Sequence, residues 1–283
     1  MFRRVLIAPV LIVAVVSGGC RQQGAAPDPS MRGLTNVLNT HILRAAYIDY
    51  PPSMIVDPNT KAKTGIMPDV IAQAAKAMGI QVVYGEETTF ANMADTLESG
   101  RVDIVVSGIW PSSARSLHAD FSRVVYYSPV YAYVRSDDVR FDNDLAAIKK
   151  GSVRIAAIDG EMSSIIAQSD YPGVATVSLP QQADVSQLLL QLSSSKADVT
   201  FVEPAIADAF LAKNPGSIRR IAGVDAVRLF PNCFLFRKGD TALRDAINVA
   251  IVEQTNSRGL SSIIKPYNAD GTHFMIPPPP VSP

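Results

Sequence analysis

The sequence is poor in the residues on which metal sites and many catalytic centres depend. It has two cysteines and three histidines in 283 residues. His41, His118 and His273 stand far apart, and no H-E-x-x-H, C-x-x-C or calcium-loop pattern occurs, so no local metal site is indicated. There is no G-x-S-x-G elbow and no P-loop, and no cofactor is expected. An excess of one charge is also missing. The 26 basic and 26 acidic residues cancel, and no long basic run exists, which removes the electrostatic footing for nucleic-acid binding. What remains is an ordinary globular composition, 47% apolar and 18% charged, long enough for one large or two modest domains.

The N-terminus reads as a targeting segment. Arg3 and Arg4 form a positive region, Val5 to Val16 an apolar one too short to span a bilayer, and Ser17-Gly18-Gly19 supplies small residues for cleavage. Cys20 follows directly, in a pattern similar to a bacterial lipobox, where the thiol is acylated and the chain is cut before it. Ser17 stands where a lipobox usually has Leu, and the alternative is ordinary secretion. The expected organisation is a signal peptide over 1–19 and a lipid-anchored flexible linker over 20–40. With Cys20 acylated, Cys233 is the lone thiol of the mature chain and no intramolecular disulfide forms. At the other end, Pro277 to Pro280 predicts an extended, disordered tail over 271–283.

Between these ends the hydrophobic periodicity alternates. Strands are predicted at Leu43–Ile48, Ile80–Tyr84, Val102–Val106, Val153–Ile158, Val174–Ser178 and Asp198–Val202. Helices are predicted at Pro68–Met78, Asn92–Ser99, Asp144–Lys150, Ala183–Leu192, Pro204–Lys213 and Asp240–Gln254, several stopped by glycine. Two longer β-prone runs, Tyr126–Val134 and Leu229–Phe236, interrupt the rhythm. The pattern βαβαβ, crossing, βαβαβ, crossing, α implies an α/β fold of two lobes joined by two chain passages. Lobe one is expected over 41–128, lobe two over 129–231, and a return to lobe one over 232–270.

Glu98–Arg115 has a partial echo at Leu192–Glu203. With Asp103 aligned to Asp198, Leu97 and Leu192 both lie six positions before the Asp, and Gly108 and Glu203 both five after it. Ligands in such sheets sit beyond the carboxyl ends of the strands, where Gly108 and Glu203 fall. Asp103 and Asp198 are expected to bond backbone near the strand starts. Arg115, on a Ser-rich turn after a buried strand, is a candidate for ligand contact. Glu203, just before Pro204, either contacts ligand or favours its helix start. Trp110 before Pro111, and Tyr50 and Phe90, are candidates for cleft wall or core.

Several motifs in order carry a family resemblance over Leu43 to Lys265. They are the aromatic-x-P loop Tyr50-Pro51-Pro52, the helix start Gly65 to Asp69, Phe90 before a helix, and the stretch Leu97 to Gly108. After these come the turn Ser112-Ser113-Ala114-Arg115, Asp120-Phe121-Ser122, and the segment Phe234 to Ile251. The chain resembles the bacterial extracellular solute-binding proteins of family 3, the polar amino acid type that serves ABC importers. The resemblance implies a two-lobed periplasmic-binding-protein-like fold (type II) that captures a small polar ligand, an amino acid or related amine or carboxylate, by lobe closure. It implies an inner-membrane permease as partner, a monomer, and a place in the periplasm or on the extracellular face, tethered to the membrane by the N-terminal lipid.

The resemblance also implies roles. Arg115 matches the residue that forks onto a ligand carboxylate, and Gly108 the one whose carbonyl meets the ligand ammonium. Glu203 matches an Asp of lobe two that meets the same ammonium, opposite Arg115. Tyr50 and Phe90 match the aromatics that sandwich the ligand, and Ser112 belongs to the turn that carries the Arg. Trp110 replaces a small hydroxyl residue, and Glu161-Met162 replaces a loop that donates to the carboxylate from a helix N-terminus. A Glu there either repels an anion or stabilises the helix start. These departures point to a ligand with more positive charge, or to an unusual amino acid. Two alternatives remain on the same fold. One is a cyclohexadienyl (prephenate or arogenate) dehydratase, with Glu203 or Glu161 as the acid; the other is a sensory input module for a separate signalling partner.

Overall fold

A computed structural model describes residues 32–268 and 271–278. In lobe one, β1 (Ile42–Tyr47) lies between β4 (Gln81–Glu87) and β5 (Ile104–Ile109), parallel to both. All six residues of β5 are buried. Alternation explains it: Ile104 and Val106 enter one core, Val105 and Ile109 another on the opposite face. The first core is closed by α2 (Ile66–Ala77) and α8 (Thr241–Asn256). Val70, Ile71, Ala74 and Ala75 of α2 meet Leu243, Ile247, Ala250 and Ile251 of α8 at helical spacing. The short helix α3 (Met93–Glu98) lies before β5, and Met93 and Leu97 bury in the second core. Gly100, at φ 74°, ends that unit in a conformation that favours glycine.

Two long strands leave this lobe. β7 (Tyr126–Arg135) and β12 (Arg228–Arg237) pair antiparallel from Asn232 opposite Tyr126 to Arg228 opposite Val130. The remaining half of β12 pairs with β5 and with β6 (Ala119–Phe121), and that of β7 with β10 (Thr200–Val202) and β11 (Ile218–Arg220). One sheet, with the path β10-β7-β12-β5-β1-β4, thereby runs through both lobes. Lobe two adds the parallel pair β8 (Arg154–Ile158) and β9 (Ala175–Leu179), tied to the chain before β10 by the bridge Ile155–Val199. Its helices are α5 (Met162–Asp170), α6 (Ser186–Ser193) and α7 (Pro204–Lys213). The apolar cores of this lobe draw on residues between Val130 and Phe230, with Trp110 packed against one of them.

Four local expectations are revised. The linker expected through residue 40 ends earlier, because Arg32–Thr40 form a helix, α1, that buries Val37 against the first core. The tail expected to be free from 271 is anchored at its start: Phe274 is buried against Tyr126, and Met275 pairs with Tyr127. The helix expected from Ala183 starts at Ser186, and the residues before it form a turn in which the Asp184 carboxylate accepts the Ser186 amide at 2.8 Å. The turn read at Asp57-Pro58-Asn59 belongs to an unanticipated hairpin of β2 (Ile55–Val56) and β3 (Lys63–Thr64). The signal peptide and Cys20 lie outside the described residues. No helix among the described residues is long and apolar enough to cross a membrane.

Candidate functional site

A cleft of about 640 Å³ opens between the lobes. Lobe one lines it with the ends of β1 and β5 and the loops beyond them: Tyr50, Phe90, Gly108, Trp110 and Arg115. Lobe two lines it with Glu161 and Met162 at the start of α5 and with the segment around Gln181. Seven of the nine ligand-contact candidates therefore share one cavity.

Gly108 has a steric reason to be glycine. A β-carbon there would fall within 2.8 Å of Ser53 Oγ, Asn232 Oδ1 and Tyr126 OH. This close packing sits where the crossing strands leave the first lobe. Trp110 follows at the end of β5. Its indole packs on Phe230 of β12, centroids 4.9 Å apart, and Nε1 donates to Asn232 Oδ1 at 3.1 Å. Asn232 is fully buried and donates from Nδ2 to Ser128 Oγ at 2.9 Å. Trp110 thus joins the cleft wall to both crossing strands.

Arg115 is placed by a single helical turn, α4 (Ser113–Ser116). Ser112 caps that turn, its hydroxyl accepting the Arg115 amide at 3.2 Å. Ser112 is not among the cleft-lining residues; it positions the turn. The Arg115 guanidinium donates from Nη1 to the Trp110 carbonyl at 3.2 Å and from Nη2 to Glu161 Oε1 at 2.8 Å. The Arg115–Glu161 pair spans the cleft, with side chains only 18% and 15% exposed. Glu161 occupies the cap position of α5, yet its side chain makes no cap bond. It turns to Arg115 and to Gln181, whose Nε2 donates to the same oxygen at 3.3 Å. Burial pushes the Glu161 carboxyl above its ordinary range, against the opposing pull of Arg115 and Gln181.

The sequence reading set Glu203 opposite Arg115, and the structure sets Glu161 there. Glu203 caps α7 through its backbone, is 4% exposed, and lies behind Tyr50, whose hydroxyl donates to Glu203 Oε2 in a short bond. Burial raises its pKa, against hydrogen bonds from Ser128 and Tyr50. Tyr50 and Phe90 meet each other edge to face, centroids 5.6 Å apart and planes at 87°. They form one continuous wall in place of two facing plates.

Sequence reasoning missed Gln181, Asn232 and Phe230. For Asn232 a signal was present, a polar residue inside a β-prone apolar run. For Gln181, on the polar loop after β9, there was none. Among the described residues no three His, Cys, Asp or Glu side chains are grouped as a metal site requires.

Against known proteins, residues 43–270 match the model of the bacterial extracellular solute-binding proteins, family 3. A probable histidine-binding protein of Campylobacter jejuni is 25% identical over 209 residues, 73% of this chain and 77% of that one. The L-cystine-binding protein TcyA of Bacillus subtilis is 24% identical over 221 residues, 77% of each chain. Among solved structures, the ancestral amino acid-binding protein AncCDT-1, a precursor of cyclohexadienyl dehydratase, superposes with a TM-score of 0.69. It is 22% identical, with 83% of this chain and 98% of that one covered.

Proposed function

Since the chain belongs to the bacterial extracellular solute-binding proteins, family 3, we propose that it is the binding component of an ABC importer. It captures an amino acid or a related amine or carboxylate between its lobes and presents it to a permease. The observation that carries this is the cleft itself. Its polar and aromatic groups come from both lobes, so a ligand that touches both favours the closed arrangement and shifts the open–closed equilibrium. Tyr50, Phe90, Gly108, Trp110, Arg115, Glu161 and Met162 are the proposed contacts, with Ser112 holding the Arg115 turn and Glu203 holding Tyr50. The relatives that bind histidine and cystine support the amino-acid class. The leader ending at Cys20 supports export and a lipid anchor at the outer face of the cell membrane.

The test is a thermal-shift screen over amino acids, amines and small carboxylates. A ligand specific to the native state raises the midpoint, by RT ln(1 + [L]/Kd) in stability. No shift with any of them would remove the proposal.

One observation favours the dehydratase alternative. Glu203 is a buried carboxyl held toward its protonated form, as a general acid must be. Tyr50 stands between it and the cleft, which argues for a structural role. Incubation with prephenate or arogenate is expected to give no product; turnover lost in Glu203→Gln would decide for the enzyme.

A further inference from the structure

The cleft has one guanidinium, and the protein fills it from within. Arg115 gives one nitrogen to Glu161 and another to the Trp110 carbonyl. The Glu161 carboxylate does not cap its own helix but crosses the cleft to reach Arg115, and Gln181 holds it there. A ligand carboxylate arriving at Arg115 would have to displace a carboxylate already bonded and largely shielded from water. Once this pair is cancelled, the remaining charged lining is Asp49, Glu87 and Asp184 against Lys213. Tyr50, Phe90 and Trp110 add aromatic lining to the cleft, and an aromatic ring can hold a cation over its face but not an anion. Lys213 is exposed at the end of α7 and makes no ion pair with the lining carboxylates among the described residues.

We infer that Glu161 is a built-in occupant of the anion subsite, and that the ligand is a small organic cation lacking a carboxylate: an amine or guanidine in place of an amino acid. This rests on the reading of the cleft as a solute-binding site and narrows it. It makes Glu161 the residue that sets specificity. An amino acid would meet a paired Arg115 and leave its own carboxylate with only the exposed Lys213 ammonium as a charged partner, a loss of about tenfold or more in affinity. Its decarboxylated counterpart makes no such demand.

The experiment is calorimetric titration of matched pairs, each an amino acid with the amine formed by its decarboxylation: arginine with agmatine, histidine with histamine, lysine with cadaverine. Wild type and Glu161→Gln are compared. Glutamine keeps the shape and can still accept from Arg115 and Gln181, and a melting curve checks that the variant is folded. The expected result is that in the wild type an amine binds at least tenfold more tightly than its amino acid, and that Glu161→Gln narrows or reverses the ratio. An amino acid that binds the wild type more tightly than its amine overturns the inference and leaves the solute-binding proposal standing. So does amino-acid binding that appears only in Glu161→Gln with no amine bound by the wild type, because the occupant is then real but the ligand class is wrong. A pair preference that is the same in both proteins overturns the role of Glu161. No binding by either protein, for every pair, overturns this inference, while the solute-binding reading is decided by the wider thermal-shift screen.

Discussion

In lobe one, Asp103 accepts the Arg44 amide at 3.0 Å and both arms of its guanidinium at 2.9 and 2.6 Å, while its own amide donates to the Arg44 carbonyl at 2.8 Å. In lobe two, Asp198 accepts the Arg154 amide at 2.9 Å and Nε at 3.2 Å, and its amide donates to the Arg154 carbonyl at 2.8 Å. The same strut locks the first strand of each lobe to the start of the strand that ends at the cleft. The sequels differ. β5 continues for six buried residues and delivers Trp110 and Arg115. β10 stops after three and turns into α7 at Glu203, whose side chain goes inward under Tyr50. The scaffold is repeated and the binding groups are not. The carboxylate that answers Arg115 comes from the start of α5, after β8, and not from the position that mirrors Gly108.

The two struts differ in how far they are shielded from water. Asp103 has a 2% exposed side chain with one arginine partner, whereas Asp198 is 11% exposed and shared between Arg154 and Arg140. Removing a buried carboxylate leaves its partner charge and amide unpaired, so Asp103→Ala is expected to cost about 3 kcal/mol. Asp198→Ala, in a wetter site with half-exposed arginines, should cost about 1–2 kcal/mol. Urea unfolding midpoints measure both, and equal losses would contradict the ranking.

Gly108→Ala comes next. The new methyl meets three polar atoms within 2.8 Å at the crossing strands, an overpacking expected to cost about 2 kcal/mol. The same unfolding assay reads it, and a neutral result would show that Ser53 and Asn232 yield easily.

Glu203→Gln should act in the opposite direction. Burial raises the Glu203 pKa above its ordinary 4.5, so the favourable contribution of its protonated form is complete below pH 4.5 and is lost as pH rises through the folded value. The variant should match wild type below pH 4.5 and gain about 1 kcal/mol on it as pH rises toward 8, since only the carboxyl must take up a proton or bury a charge on folding. Asp198 has the other sign. Although burial would raise its pKa, bonds from Arg140 and Arg154 hold it below 3.8, so its contribution stands above that pH and fades under acid. Thermal melts across pH 3–8 separate these two lobe-two carboxyls on this basis.

Much of the scaffold was legible from the sequence because it is local. Helix faces such as Leu243, Ile247, Ala250 and Ile251 repeat at the helical period, and the Asp103 and Asp198 positions repeat between lobes. The pairing that defines the site is not local. Arg115 and Glu161 lie 46 residues apart, Tyr50 and Glu203 153, and Trp110 and Asn232 122. No periodicity connects them. Ser112 read as a ligand contact because the cap of a one-turn helix and a binding loop use the same hydroxyl residues. Phe274 was overlooked because the prolines beyond it mark the tail as unstructured.

Trp110 gives the most direct test of the central claim that ligand enters the cleft between the lobes. It is the only tryptophan of the chain, it lines the cleft, and it is bonded to a crossing strand. Its fluorescence should change saturably on titration with any compound that raises the melting midpoint, and with the same affinity. A compound that stabilises the protein while leaving Trp110 emission unchanged would place binding outside the cleft and contradict the account.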